Sequence, residues 1–398
     1  MDAKALPACP SLEQYRKQAK ELLRACKSGD SGALQRIKRY PHSGKLSAPV
    51  TLADAQLTIA REHAFESWPK FVKHIAALAS EDSRVSQFEL AADAIVAGDA
   101  VTLKRLLGAH PELIRERSTR MHQATLLHYV AANGFEDYRQ KSPKNAVGIA
   151  ETLLSAGAEV DAVAEMYGKA TTLCLVASSI HPMRAGVQVG LLESLLDAGA
   201  AIDGLPGGSR PVIAALRNGR GEAAEFLAAR GARLDLEAAA ALGRLGLVKD
   251  FFADDGSLKA ATKVQLESGF LWACEYGRDN VVDFLLQRGV DLRVQSNTGL
   301  TGLHWAVVGG QLTTIKLLLE QGAPLEARNI YGGTALGQAL WSAINGDSGI
   351  DYSEIINALI DAGAKIEPGS LTWLAEQREA SSTKAHLEAL LRRRGATS

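Results

Sequence analysis

The chain has 398 residues, 46% of them hydrophobic and 22% charged, with a net charge of −1. This composition excludes wholesale disorder, and a near-zero charge argues against an overall nucleic-acid or membrane footprint. Cys9, Cys26, Cys174 and Cys274 form no CxxC pair, which excludes the usual zinc spacings and fits reduced thiols in a cytosol.

The N-terminus, MDAKALPACPSLEQ, carries no apolar leader, and no run of about eighteen apolar residues follows anywhere. A cytoplasmic protein that does not enter a membrane is therefore expected. Residues 1–85 read as a helical module. LEQYRKQAKELLRACKSGD is amphipathic, and Ser67 before WPK has the form of a helix N-cap with an early-turn proline. GDSGALQRIKRYPH (29–42) parallels GDAVTLKRLLGAHP (98–111), so part of this module reads as a worn helix pair. Residues 1–80 hold 13 Lys/Arg against 7 Asp/Glu, a local balance of +6. That excess admits a surface for nucleic acid or an acidic partner, but no helix-turn-helix, RNP or zinc pattern accompanies it.

From residue 86 the chain repeats itself. A tail of the type Gly-Ala-x-x-Asp recurs as GAEVD (157), GAAID (199), GARLD (231), GVDLR (289), GAPLE (322) and GAKIE (363), at spacings of 42, 32, 58, 33 and 41. The 58 divides at Gly256 into 25 and 33, so a base period near 33 with insertions is visible. Such a period predicts stacked helix pairs, none able to bury its apolar face alone. Pairs are expected from about 88, 125, 171, 210, 236, 268, 301, 334 and 370, nine over 86–398. The pair at 236–256 leaves no room for a hairpin before the next helix. From the turn glycine to the next Gly-Ala, the regular unit spans 12 residues (Gly310 to Gly322), whereas Gly134 to Gly157 spans 23. The excess of 11 equals FEDYRQKSPKN, 135–145; comparable insertions fall near 180–187 and 344–351. All three are expected at the helix-to-helix turn, opposite the hairpins and in solvent.

The unit TGLHWAVVGGQLTTIKLLLEQGAPLEARN (301–329) resembles the ankyrin-repeat family, whose pattern includes T-P-L-H-x-A, a glycine turn and a Leu-rich helix. Thr301, Leu303, His304 and Ala306 match it, with Gly302 in place of the family's proline; Thr125, Leu127, His128 and Gly134 match again. The segment 52–75 is similar to a helical module found before some bacterial ankyrin arrays. The resemblance implies an all-α ankyrin-repeat α-solenoid, structural roles for His128 and His304, and a non-catalytic, monomeric protein-binding scaffold without a cofactor. It places the partner on hairpin tips and first-helix faces. Carried across, the hairpin positions are Tyr167, Lys169, Gln295, Asn297, Ile330 and Tyr331; the helix positions are Arg217, Asn218, Glu275, Tyr276, Val308 and Trp341. Trp272 and Trp305 share one register position and are expected in the core. Tyr138, Arg139 and Lys141 form an alternative binding edge, a mixed aromatic and cationic tip.

Catalytic signatures are scarce. GDSG (346–349) imitates a serine-protease nucleophile, but between paired helices Ser348 has no β-barrel to supply a His and an Asp. A site built from loop insertions around His122, His128 and His181 is the enzymatic alternative, although their spacing points to no metal.

Overall fold

In a computed structural model of the chain, residues 3–7, 9–40, 49–259, 261–346, 349–377 and 382–396 are described. Helix is the dominant element, and the chain divides into two compact units, Met1–Ala232 and Arg233–Ser398.

The first unit begins with α1 (Leu12–Lys27), α2 (Ser31–Lys38), α3 (Leu52–Glu62) and α4 (Trp68–Leu78). Their starts are set locally. Ser11 accepts the Gln14 N–H, Thr51 and Asp54 form a reciprocal capping box, and Ser67 caps α4 with Pro69 in the first turn. The apolar stripe of α1 (Tyr15, Ala19, Leu22, Cys26) closes a separate core with Ile59, Phe65, Phe71 and Ile75. Tyr15 meets Phe71 edge-on, with ring centroids 4.9 Å apart.

Four pairs follow in this unit. They are α5 (Arg84–Ala97) with α6 (Ala100–Ala109); a 3-10 helix (Leu126–Ala131) with α7 (Ala146–Ser155); α8 (Thr172–Ser178), α9 (Ile180–Ala185) and α10 (Gln188–Asp197); and α11 (Pro211–Arg217) with α12 (Gly221–Ala229). The insertion at 180–187 is thus largely the short helix α9, closed by Gly186 in the left-handed region. A small antiparallel hairpin, β1 (Val163–Ala164) and β2 (Ala170–Thr171), precedes α8.

The second unit holds five pairs: α13 (Leu236–Ala241) with α14 (Leu245–Asp250), α15 (Lys263–Glu275) with α16 (Asp279–Gln287), α17 (Gly302–Val308) with α18 (Leu312–Glu320), α19 (Ala335–Asn345) with α20 (Ser353–Asp361), and α21 (Ser370–Glu376) with α22 (Ser382–Arg393). One apolar core runs from Leu236 to Leu391. The expectation of no hairpin after the α13–α14 pair is corrected. Phe252 bridges Leu258 and Lys259 N–H bonds Phe251 O, a hairpin that finds room because α14 ends after only six residues.

Two devices set the repeat. Second helices end on glycines such as Gly322 (φ +79°), where an L side chain would be strained. Threonine and histidine join neighbouring repeats: Thr301 N–H donates to His304 Nδ1 (3.3 Å), which leaves His304 Nε2 to donate to Gly333 O (3.3 Å) in the next hairpin. Ile330 N–H bonds Thr298 O (3.0 Å), stitching successive hairpins edge to edge.

Candidate functional site

A pocket of about 710 Å³ lies in the second unit where the hairpin at 329–333, the exposed face of α19, the next hairpin (Glu367–Ser370) and α21 converge. Asn329 shapes its first wall. The side-chain oxygen accepts the N–H groups of Tyr331 and Gly333, both at 3.0 Å, and Asn329 N–H bonds Gly333 O, which fixes the tip in a tight turn. Thr334 caps α19 by accepting the Gly337 N–H (3.2 Å), so Gly337, Gln338 and Trp341 fall on one helix face. Tyr331 is 82% exposed and Trp341 52%, far beyond what packing within a core allows. With half-buried Trp373 they give the pocket three aromatic walls, and Glu367 supplies a carboxylate. Arg328 anchors that carboxylate at the rim, with Nη2 2.6 Å from Glu367 Oε1.

Of the residues expected to bind a partner, Tyr331 and Trp341 meet in this pocket. Ile330 is exposed but does not line it, and Gln295 and Asn297 are exposed one hairpin earlier. Glu275 and Tyr276 are half-buried at the end of α15, as is Val308. Burial pushes the Glu275 carboxyl up to about 7. In the first unit, Arg217 and Asn218 are exposed. Tyr167 and Lys169 are exposed as well, on a hairpin where both take positive φ. Trp272 is buried and Trp305 half-buried. Trp373 was missed; it stands four residues after Gly369, the N-cap of α21, as Trp305 does after Thr301 and Tyr129 after Thr125.

The 135–145 insertion falls between the two helices of its pair, as expected. Lys144 and Asn145 bond Ala185 O and Gly98 O at neighbouring helix-to-helix turns, but the first half of the insertion does not project into solvent. Phe135 lies against Tyr167 of the next hairpin (ring centroids 6.1 Å apart), and Phe135 O accepts the Ala3 N–H (2.7 Å). The segment is a strap folded over its own repeat. The exposed cationic tip is also corrected: Lys141 is exposed and Tyr138 half-buried, but Arg139 is buried. Its guanidinium pairs with Glu89 Oε2 (2.9 Å), Glu136 Oε1 (2.9 Å) and Asp93 Oδ1 (2.7 Å). Arg120 completes a neutral tetrad with Glu89 and Glu136. Glu136 also accepts from Tyr129 and Tyr138, each at 2.7 Å. Burial alone would raise both carboxyls, but Arg120 and Arg139 hold Glu89 low, and those arginines with His122 hold Glu136 well below the carboxylate range. Four residues scattered over fifty positions left no spacing to read.

His122 and His128 line one cavity beneath the strap, and His181 reaches it through Gln140 (3.2 Å). The cavity is about 20 Å³, room for one water. Each histidine has a local role. His122 Nδ1 accepts the Ala124 N–H, placing its proton on Nε2, 3.1 Å from Glu136 Oε2. His128 Nδ1 accepts the Thr125 N–H (3.1 Å). Among the described residues no three His, Cys, Asp or Glu form a metal-binding group. Ser348 and part of the 344–351 insertion lie outside the described residues. No helix among those described is long and apolar enough to cross a membrane.

Residues 270–369 match the family model for ankyrin repeats in three copies, a stretch that includes most of the aromatic pocket. The chain is similar to the crystal structure of the human ASB11 ankyrin repeat domain (22% identity, 70% of this chain and 99% of that one, TM-score 0.37). It is also similar to the ankyrin repeat domain of Bcl-3, a member of the IkappaB family (19% identity, 68% and 97%, TM-score 0.31). No curated protein matches. The fold is all-α, built of helix pairs, and residues 270–369 match ankyrin repeats, which generally mediate protein–protein interaction.

Proposed function

We propose that this chain is a non-catalytic, monomeric binding module that holds a partner protein in the pocket between the 329–333 hairpin, α19 and α21. One observation carries the reading: Tyr331 and Trp341, two large apolar side chains left in solvent, face one cavity with Trp373. Aromatics of this kind supply contact area at small entropy cost and dominate interface energetics. The cavity has the volume of a specific site. An extended segment of the partner fits a trough walled by two hairpins. The test is capture from lysate with wild-type chain and with a Tyr331→Ala/Trp341→Ala variant, both checked for helicity by circular dichroism. Loss of the wild type's partners supports the reading, and unchanged recovery removes it.

A second reading rests on α1, where Arg16, Lys17, Lys20, Arg24 and Lys27 are exposed along one side of the helix. Such a stripe suits nucleic acid or an acidic partner. If it neutralises five phosphates of duplex DNA, log K should fall with log salt at a slope of roughly −4.5. A salt-independent or absent signal excludes the electrostatic version.

A further inference from the structure

We infer that the aromatic pocket of the second unit recognises an arginine side chain presented by the partner segment. The inference rests on the docking proposed above and names what the pocket selects. Its template is the strap of the first unit. There, a segment of the chain itself lies where a hairpin (His122, Ala124), a first helix (His128, Tyr129) and the next hairpin (Met166) converge. The pocket of the second unit is built from the same three kinds of wall, but among the described residues no segment fills it, and about 710 Å³ stands open in place of about 20 Å³.

What the strap inserts is Arg139. Its guanidinium lies 5.6 Å from the ring centroid of Tyr129 and 5.5 Å from that of Tyr138, while Glu89 and Glu136 take its N–H groups. Tyr129 stands four residues after the N-cap of its first helix, Thr125, and Trp373 four after Gly369, the N-cap of α21. Trp341 and Tyr331 supply further ring faces, Glu367 supplies a carboxylate, and none of the lining residues is basic. A cation over indole faces beside a carboxylate is favoured, and a planar guanidinium stacks better than an ammonium. Long-range charge has the same sign. The second unit carries 16 Lys/Arg against 20 Asp/Glu, a net of −4, whereas the first holds 28 against 25, a net of +3. Arg328 occupies one oxygen of Glu367 from the rim. An incoming guanidinium therefore shares the carboxylate or displaces Arg328, and either route leaves the interaction sensitive to salt.

The test uses the full chain, 15N-labelled at its tryptophans, with indole signals assigned through Trp341→Phe and Trp373→Phe. Capped pentapeptides Gly-Gly-X-Gly-Gly with X as Arg, Lys, Leu or Gln are titrated into the millimolar range. The inference expects the Arg peptide to shift the Trp341 and Trp373 signals with affinity about tenfold above the Leu and Gln peptides, and Lys to fall between. Glu367→Gln, close in shape to the native side chain, should weaken the Arg peptide several-fold, as should high salt. A Leu peptide that binds as well as Arg would overturn the cation selectivity while leaving the docking pocket intact. Silence of both indoles with every peptide would overturn the arginine site itself, and the lysate comparison would then judge the docking surface separately.

Discussion

Arg139 is the side chain most changed by folding. As sequence it belongs to a polar insertion; in the structure it is buried among Glu89, Asp93 and Glu136. Opposite charges around it hold Arg139 positive despite its burial. Removing one member strands the others without solvent, so Arg139→Ala should cost about 3–5 kcal/mol, read by urea denaturation. Arg139→Lys should recover only part, because one ammonium cannot fork between three carboxylates. Titration gives a second prediction at this scale. Burial foremost holds His74 and His128 down to about 4, with cationic arginines nearby adding to it. Their unfolded forms take up protons near pH 6.5, so their contribution is complete above that value and is lost as pH falls toward 4. The slope is about 1.4 kcal/mol per pH unit for each histidine. Glu275 has the opposite sign: raised to about 7, it favours the fold below pH 4.5 and loses that contribution as pH rises through 7. Glu275→Gln should therefore stabilise the protein at pH 8, on the order of 1–3 kcal/mol, and change little at pH 4. An equal effect at both values would refute burial as the cause.

At the scale of elements, repetition made the sequence legible and its absence hid the rest. The Gly-Ala tails and the Thr-x-x-His caps recur, so one unit's role reads onto the others, and His304 reaches Gly333 of the next hairpin. The short hairpin after α14 was harder to read because its strands pair at a single isolated bridge, Phe252 to Leu258, although Asp255-Gly256 is a turn signature. Excess length revealed the strap, but not the direction in which it folds. That direction depends on Phe135 meeting Tyr167 and on arginines meeting carboxylates far away in sequence. Close packing between repeats is also testable. A Cβ added to Gly309 would lie 1.9 Å from Glu275 O, backbone that cannot turn aside. Gly309→Ala should cost about 2 kcal/mol or more, whereas Gly246→Ala, with open space around it, should come near neutral in thermal unfolding.

For the whole molecule, the N-terminal helices and the first repeats behave as one body. Met121 N–H bonds Ala64 O (2.8 Å), His74 meets Thr119 (2.7 Å), and Arg120 lies over Phe65. The sequence reading expects a change from helical module to repeats near residue 85, whereas the compact units part at Ala232 and Arg233. Each unit has its own treatment of the compartment between hairpins and first helices. The first closes it with its own strap, and the second leaves Tyr331, Trp341 and Trp373 around an open pocket. Partner capture is the measurement closest to this difference. Wild-type chain and a Tyr331→Ala/Trp341→Ala variant, with circular dichroism confirming equal helicity, are compared for quantified recovery of co-purifying proteins. The account predicts that wild-type partners fall at least tenfold with the variant, since each anchor contributes about 2 kcal/mol. Equal recovery by both chains would contradict it.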